Sequence, residues 1–196
     1  MAAETVKDAK LKQNTDTIKQ YEEQLNRCRT VFIQKNKDYG TSWQVLRLSS
    51  LTDQILIKAR RLRSIEEHGY QMVDDGKDTE YIGIVNYSII ALILMELENP
   101  ETAELDEDSL TKWYDKIAGN AKDLMIKKNH DYGEAWRLMY VSSLTDMILM
   151  KLFRMRQLLE KDEASVTSEG VDANLYDIIN YSVFALIRLK EKNNNV

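Results

Sequence analysis

The chain has 196 residues, 43% of them hydrophobic and 30% charged, enough for one sizeable core or two small ones. A net charge of −5 and an isoelectric point near 5.2 argue against a nucleic-acid backbone as the main partner, and the single cysteine, Cys28, excludes an intrachain disulfide. One proline and seven glycines turn the reading away from a turn-rich all-β fold and towards helices.

The N-terminal stretch MAAETVKDAKLKQNTDT is polar and has no apolar core of the signal-peptide kind, so a cytoplasmic location is expected. A first helix is predicted over about 17–37, stopped at Asp-Tyr-Gly by Gly40. A second is predicted over about 42–67, where Leu46, Leu51, Ile55 and Leu62 recur at helical spacing. HGYQMVDDGKD reads as a loop before a third helix over about 79–97. The run from Tyr81 to Leu97 is apolar nearly all round, yet it carries Asn86, Tyr87 and Ser88 and is short for a membrane span. It therefore reads as a central buried helix, with no membrane partner expected. ENPETAELDEDS, with the sole Pro100, is the natural linker. Helices follow near 109–129, 134–161 and 173–192, with the loop KDEASVTSEGVDAN before the last.

The second series repeats the first. Lys35–Ile65 lies over Lys128–Leu158 without a gap, with 16 of 31 positions identical, and IVNYSIIALI from Ile84 lies over IINYSVFALI from Ile178 with 7 of 10 identical. A period of about 93 is too long for a solenoid. The expected fold is all-α: a first repeat over 1–98, a linker over 99–108 and a second repeat over 109–196. The two three-helix repeats are expected to be related by a pseudo-two-fold axis and packed as one helical bundle, because either alone would bury little.

The repeated polar residues each admit a structural and a chemical role. Trp43 and Trp136 suit core packing or a stacking surface for a base. Asp38 and Asp131 suit capping, Asp131-Tyr-Gly-Glu134 having capping-box spacing, or a carboxylate beside a phosphate–metal site. Asp53 and Asp146 close two copies of Ser-Ser-Leu-Thr-Asp, an awkward string inside a helix. It marks either a kink or fresh cap, or inward-facing metal ligands and acid–base groups. Lys58, Arg61 and Arg63 pair with Lys151, Arg154 and Arg156, as a solvated face or as a grip for phosphate. Asn86-Tyr87 and Asn180-Tyr181 interrupt apolar helices and need partners, between helices or from a nucleotide. Asp177 aligns with Gly83, and Glu80 with Asn174, so an E-x-x-D pair able to hold Mg²⁺ is split between the halves.

The strings K-N-x-D-Y-G-x-x-W, S-S-x-x-D-x-x-x-x-K-x-x-R-x-R and I-[VI]-N-Y resemble the family called nucleotide modification associated domain 1, over about 60 residues in each half. The resemblance implies an all-helical fold and a role in nucleotide or DNA-base modification. A more distant similarity is to the all-α nucleoside triphosphate pyrophosphohydrolases of the MazG type and the dimeric dUTPases. These bind Mg²⁺ through E-x-x-E and E-x-x-D, of which the first is absent here and the second split. Two functions are therefore expected. In one, a Mg²⁺-dependent nucleotide phosphohydrolase holds metal on Asp53, Asp146, Glu80 and Asp177 and phosphate on Lys58, Arg61, Lys151 and Arg154. In the other, a non-catalytic helical module binds a nucleotide or a protein partner. The small-molecule partner expected is a nucleotide, and the oligomeric state stays open.

Overall fold

Gly40, Gly69 and Gly133 have φ of +62°, +75° and +61°, and their N–H groups donate to the carbonyls of Asn36, Ile65 and Asn129 at 2.9 Å. A residue without Cβ enters this region at little cost, and in each case it closes a helix. The computed structural model describes residues 2–161 and 170–194, with side chains of 16–160 and 170–194. Its helices are α1 (Ala2–Tyr39), α2 (Leu48–His68), α3 (Lys77–Glu96), α4 (Glu107–Tyr132), α5 (Val141–Lys161) and α6 (Val171–Asn194). No strand occurs among the described residues. Most of the second expected loop, 162–169, lies outside them.

Two expectations need correction. The first helix reaches back to Ala2. The second helix of each half starts later than its periodicity suggests. Trp43 and Trp136 sit in separate 3-10 turns, Ser42–Val45 and Ala135–Leu138, which end at Leu46 and Met139 in extended backbone with ψ of 131° and 148°. That break explains the serines. Ser49-Ser50 and Ser142-Ser143 fall in the first turns of α2 and α5, where backbone N–H groups lack helical partners. Thr52, one turn on, donates back to the Leu48 carbonyl at 2.8 Å, and the Thr145 hydroxyl stands 3.3 Å from the Val141 carbonyl.

The helices stack in three layers of two. α3 and α6 pack on each other in the middle, α2 and α5 cover one side, and α1 with α4 crosses the other. Exchanging α1, α2 and α3 for α4, α5 and α6 leaves this set of main helix contacts unchanged. The middle layer is buried from both sides, which is why its helices are apolar nearly all round. α3 alone among the described helices is long and apolar enough to cross a membrane, and here it lies inside the bundle.

Two amides in this middle layer are bonded by tyrosines from the opposite half. Tyr21 of α1 donates to Asn180 Oδ1 of α6 at 2.5 Å, and Tyr114 of α4 donates to Asn86 Oδ1 of α3 at 3.1 Å. Tyr21 and Tyr114 occupy equivalent places 93 residues apart. Burial raises the pKa of both phenols, so they remain donors at any ordinary pH. Asn86 Nδ2 also donates to the Cys28 carbonyl at 3.0 Å. The turn before the second helix of each half is also held by side-chain bonds. Gln44 donates to the linker carbonyls of Pro100 and Ala103 at 2.7 and 2.9 Å. Its equivalent, Arg137, donates to Thr17 of α1 and Glu191 of α6 at 2.7 and 2.8 Å.

Tyr114→Phe keeps the ring contact with Phe32 but leaves Asn86 Oδ1 without its donor. It is expected to lower stability by about 1–3 kcal/mol, seen as a lower urea midpoint with an unchanged slope.

Candidate functional site

The carboxylates in the sequence motifs separate into two classes. Glu80 and Asp177 are buried on the central helices, at 6% and 4% exposure, whereas Asp38, Asp131, Asp53 and Asp146 lie exposed on α1, α4, α2 and α5. A buried carboxylate needs compensating charge, and both have it. Glu80 accepts from Arg61 Nη1 at 2.5 Å on one oxygen and from Lys58 Nζ at 3.2 Å on the other. Asp177 accepts from Lys128 Nζ at 2.5 Å on one oxygen and pairs with Lys151 Nζ at 2.8 Å on the other.

The split E-x-x-D pattern thus has a physical counterpart. Lys58 and Lys151 are equivalent residues, and each follows its carboxylate although the carboxylate has moved one helical turn. In the first half Gly83 makes this possible. A Cβ there would stand 2.7 Å from Lys58 Cε and 2.8 Å from Cδ, so the lysine methylenes cross the position that Asp177 fills in the second half. Arg61 and Arg154 have diverged further. Arg61 also donates to the carbonyls of Asp75 and Val73, at 3.1 and 3.4 Å, and so closes the loop before α3. Asn174 stands in the second half at the place equivalent to Glu80, and the one hydrogen bond of Arg154 among the described residues is a 3.5 Å contact with Gln157.

The remaining aspartates do not join these clusters. Asp146 stands 3.7 Å from Arg63 of α2. Asp53 is ten residues before Arg63, about 15 Å along the same helix. Asp38 lies in the last turn of α1 and Asp131 in that of α4, where its one side-chain bond among the described residues is with the neighbouring His130 at 3.0 Å. The capping-box expectation at Asp131 is thereby corrected: Asp131 is still helical, Glu134 flanks the 3-10 turn in left-handed backbone at φ 54°, and no side chain caps that turn. Among the described residues no group of three or more His, Cys, Asp or Glu is placed to hold a metal ion. Asp53, Asp146, Glu80 and Asp177 do not come together, and the donor set does not fit the Mg²⁺ centre expected from their sequence pattern.

The aromatic and amide candidates sit in or against the core. Trp43 Nε1 donates to Asn36 Oδ1 at 2.8 Å. Trp136 is buried, stacked on Phe184 at 4.2 Å and covered by the Arg137 guanidinium at 4.3 Å. Its ring faces are therefore taken, and a base has no room on them. Asn86 and Asn180 join helices, as described, while Tyr87 and Tyr181 pack half-buried against the core. By contrast Tyr39 and Tyr132 of the two Asp-Tyr-Gly strings are each 74% exposed, and packing does not account for their repetition.

One partly buried cluster is marked by the motifs only at Thr145. Tyr81 of α3, Thr145 of α5 and Glu66 of α2 form a chain, with 2.7 Å between the hydroxyls and 3.1 Å from Thr145 to the carboxylate. Burial raises the Glu66 pKa above the usual glutamate range, and the Thr145 hydrogen bond opposes that only in part. The signal in the sequence is weak. Glu66 aligns with Leu159 and Tyr81 with Leu175, so the repeat does not mark them.

These features define an all-helical protein of two fused, crossed halves whose buried carboxylates are neutralised by lysine and arginine. Residues 35–95 and 128–189 match the family described as nucleotide modification associated domain 1, and the chain belongs to that family, carrying its domain twice. No curated protein and no solved structure matches the chain.

Two expectations follow. A glutamate whose folded pKa is raised binds more protons folded than unfolded, so its contribution falls as pH rises from the unfolded glutamate value through the raised one. Glu66→Gln, which can still accept from Thr145, is expected to remove that slope and raise the neutral-pH unfolding midpoint, with the gain vanishing below the glutamate range. Asp177→Asn leaves two ammonium groups facing an uncharged amide and is expected to lower the midpoint clearly. Asp53→Asn, at an exposed site with no partner among the described residues, should stay within about 0.5 kcal/mol of the parent in the same urea titration.

Proposed function

We propose that this protein binds nucleotides without hydrolysing them and acts as an accessory factor in nucleotide or DNA-base modification, its two halves packed about a pseudo-two-fold axis. The observation that carries the reading is the occupancy of the buried carboxylates. Glu80 and Asp177 each have both oxygens engaged by two cationic side chains. Metal-assisted phosphoryl chemistry needs carboxylate oxygens free to ligate a cation that keeps open positions for substrate and water. Here ammonium and guanidinium groups stand at those oxygens instead. Family membership supports the nucleotide connection, and the crossed contacts of α1 with α6 and α4 with α3 support the pseudo-two-fold arrangement.

Thermal unfolding against a panel of nucleoside mono-, di- and triphosphates, with and without Mg²⁺, tests this. A ligand that binds the native state at 100 times its Kd adds about 2.7 kcal/mol. The expected result is a raised midpoint for particular nucleotides whether or not Mg²⁺ is present, with no product by chromatography after hours of incubation. Mg²⁺-dependent turnover that Asp177→Asn abolishes would overturn the non-hydrolytic reading in favour of a phosphohydrolase. No shift at millimolar nucleotide would overturn nucleotide binding and leave a protein partner.

A further inference from the structure

The outer face of the α2–α5 layer carries a feature that neither the paired carboxylates nor the core requires. Met150 and Phe153 of α5 are 51% and 47% exposed, beside arginines from both helices. Together with Asp146 and Gln157 they line a groove of about 610 Å³ into which Arg63 and Arg154 reach. That volume falls in the range of small-ligand sites, about 300–1,000 Å³.

We propose that this groove is the nucleotide site, one per chain, with phosphate held between Arg63 and Arg154 and the base laid on Phe153. The proposal rests on the nucleotide-binding reading above. Arg63 is oriented by Glu67 at 3.2 Å through Nε and by Asp146 at 3.7 Å through Nη2, which leaves Nη1 to donate to an anion. Among the described residues Arg154 has only the 3.5 Å contact with Gln157, the second half having Asn174 where the first has Glu80. The carboxylate that binds Arg61 is missing, and Lys151 alone serves Asp177 from α5. A planar guanidinium with unused donors suits phosphate oxygens. Phe153 supplies an apolar ring face at the edge of the same groove, and Met150 an adaptable thioether that packs against aromatic edges. Two arginines and one aspartate give the groove a net charge of +1, in a chain whose total is −5.

The first half cannot form the same site. Phe153 aligns with Arg60 and Arg154 with Arg61, and Arg61 is drawn inward to Glu80. The ring face is gone and one of the two phosphate donors is engaged. Divergence of the halves thus gives one site, not two.

Calorimetric titration of the full chain tests this, using the 5′-mono-, di- and triphosphates of the common ribo- and deoxyribonucleosides, with inorganic phosphate as a separate arm. One nucleotide should bind per chain. Arg154→Gln and Phe153→Ala should each raise its Kd about tenfold or more. Arg156→Gln, an exposed arginine on the same helix outside the groove, should leave it unchanged. Both groove side chains are partly exposed and make few contacts, and unfolding midpoints near the parent's would show that the variants fold. Parent-like affinity in both groove variants would overturn the site while leaving nucleotide binding intact. Inorganic phosphate binding as tightly as any nucleotide would overturn the role of Phe153. No nucleotide binding to the parent chain would remove the nucleotide reading itself, and the site with it.

Discussion

Two asparagines in the most apolar helices of the chain determine how the halves join. Asn86 and Asn180 each bring an amide into a layer covered by helices on both sides, where an unpaired oxygen costs more than most hydrophobic contacts contribute. Each oxygen is satisfied by a tyrosine from the other half: Tyr114 for Asn86 and Tyr21 for Asn180. Neither half can complete its own central helix. An apolar α3–α6 contact alone would tolerate sliding and rotation, because burial is not directional. The tyrosine bonds fix both, and with them the position of α2 and α5 on the opposite side. The exposed face that carries Arg63, Arg154 and Phe153 is set by this buried arrangement.

Fusing two copies frees them to differ, provided that the paired core is kept. The charged residues show where the difference has accumulated. Lys58 and Lys151 serve carboxylates one turn apart on equivalent helices, and Gly83 is the residue that lets Lys58 pass. With Asn174 where the first half has Glu80, Arg154 has no carboxylate partner among the described residues and lines the groove. The tryptophans have parted similarly. Trp43 keeps a hydrogen bond to Asn36, while Trp136 has sunk onto Phe184 with its indole N–H lacking any hydrogen-bond partner among the described residues.

Much of the architecture was legible in the sequence because repetition and periodicity report it directly. The doubled strings fall in the two stretches that match the family, the apolar run around Asn86 marked a central helix, and glycines after Asp-Tyr marked helix ends that the structure retains. The break before α2 was not legible. Leu46 keeps the apolar spacing of the helix that follows, so the period runs through a point where the backbone is extended. Tyr21 and Tyr114 escaped notice for a different reason. In the eighteen residues before the shared strings only Lys19, Tyr21 and Ile33 recur, and three matches do not mark a stretch as repeated. The pairing of Lys58 with Glu80, 22 residues away across a loop, leaves no periodic trace at all.

The same limit explains why the polar motifs suggested metal chemistry. Carboxylates and lysines at matching places in two halves are what a phosphate–metal centre would need, and sequence spacing does not reveal which charges meet. In the fold the lysines and Arg61 meet the buried carboxylates, and the exposed aspartates stay apart. A buried carboxylate with two cationic partners is an expensive arrangement when a well-packed apolar group would serve the core as well or better. Its persistence at different positions in the two halves suggests what it is for. Arg61 uses the anchor of Glu80 to close the loop before α3 onto α2, and Lys128 and Lys151 use Asp177 to tie α4 and α5 to α6. In each half the carboxylate fixes the cation-bearing helix against the central layer. That rigidity holds α2 and α5 in register, and the groove between Arg63 and Arg154 requires both helices to stay where they are.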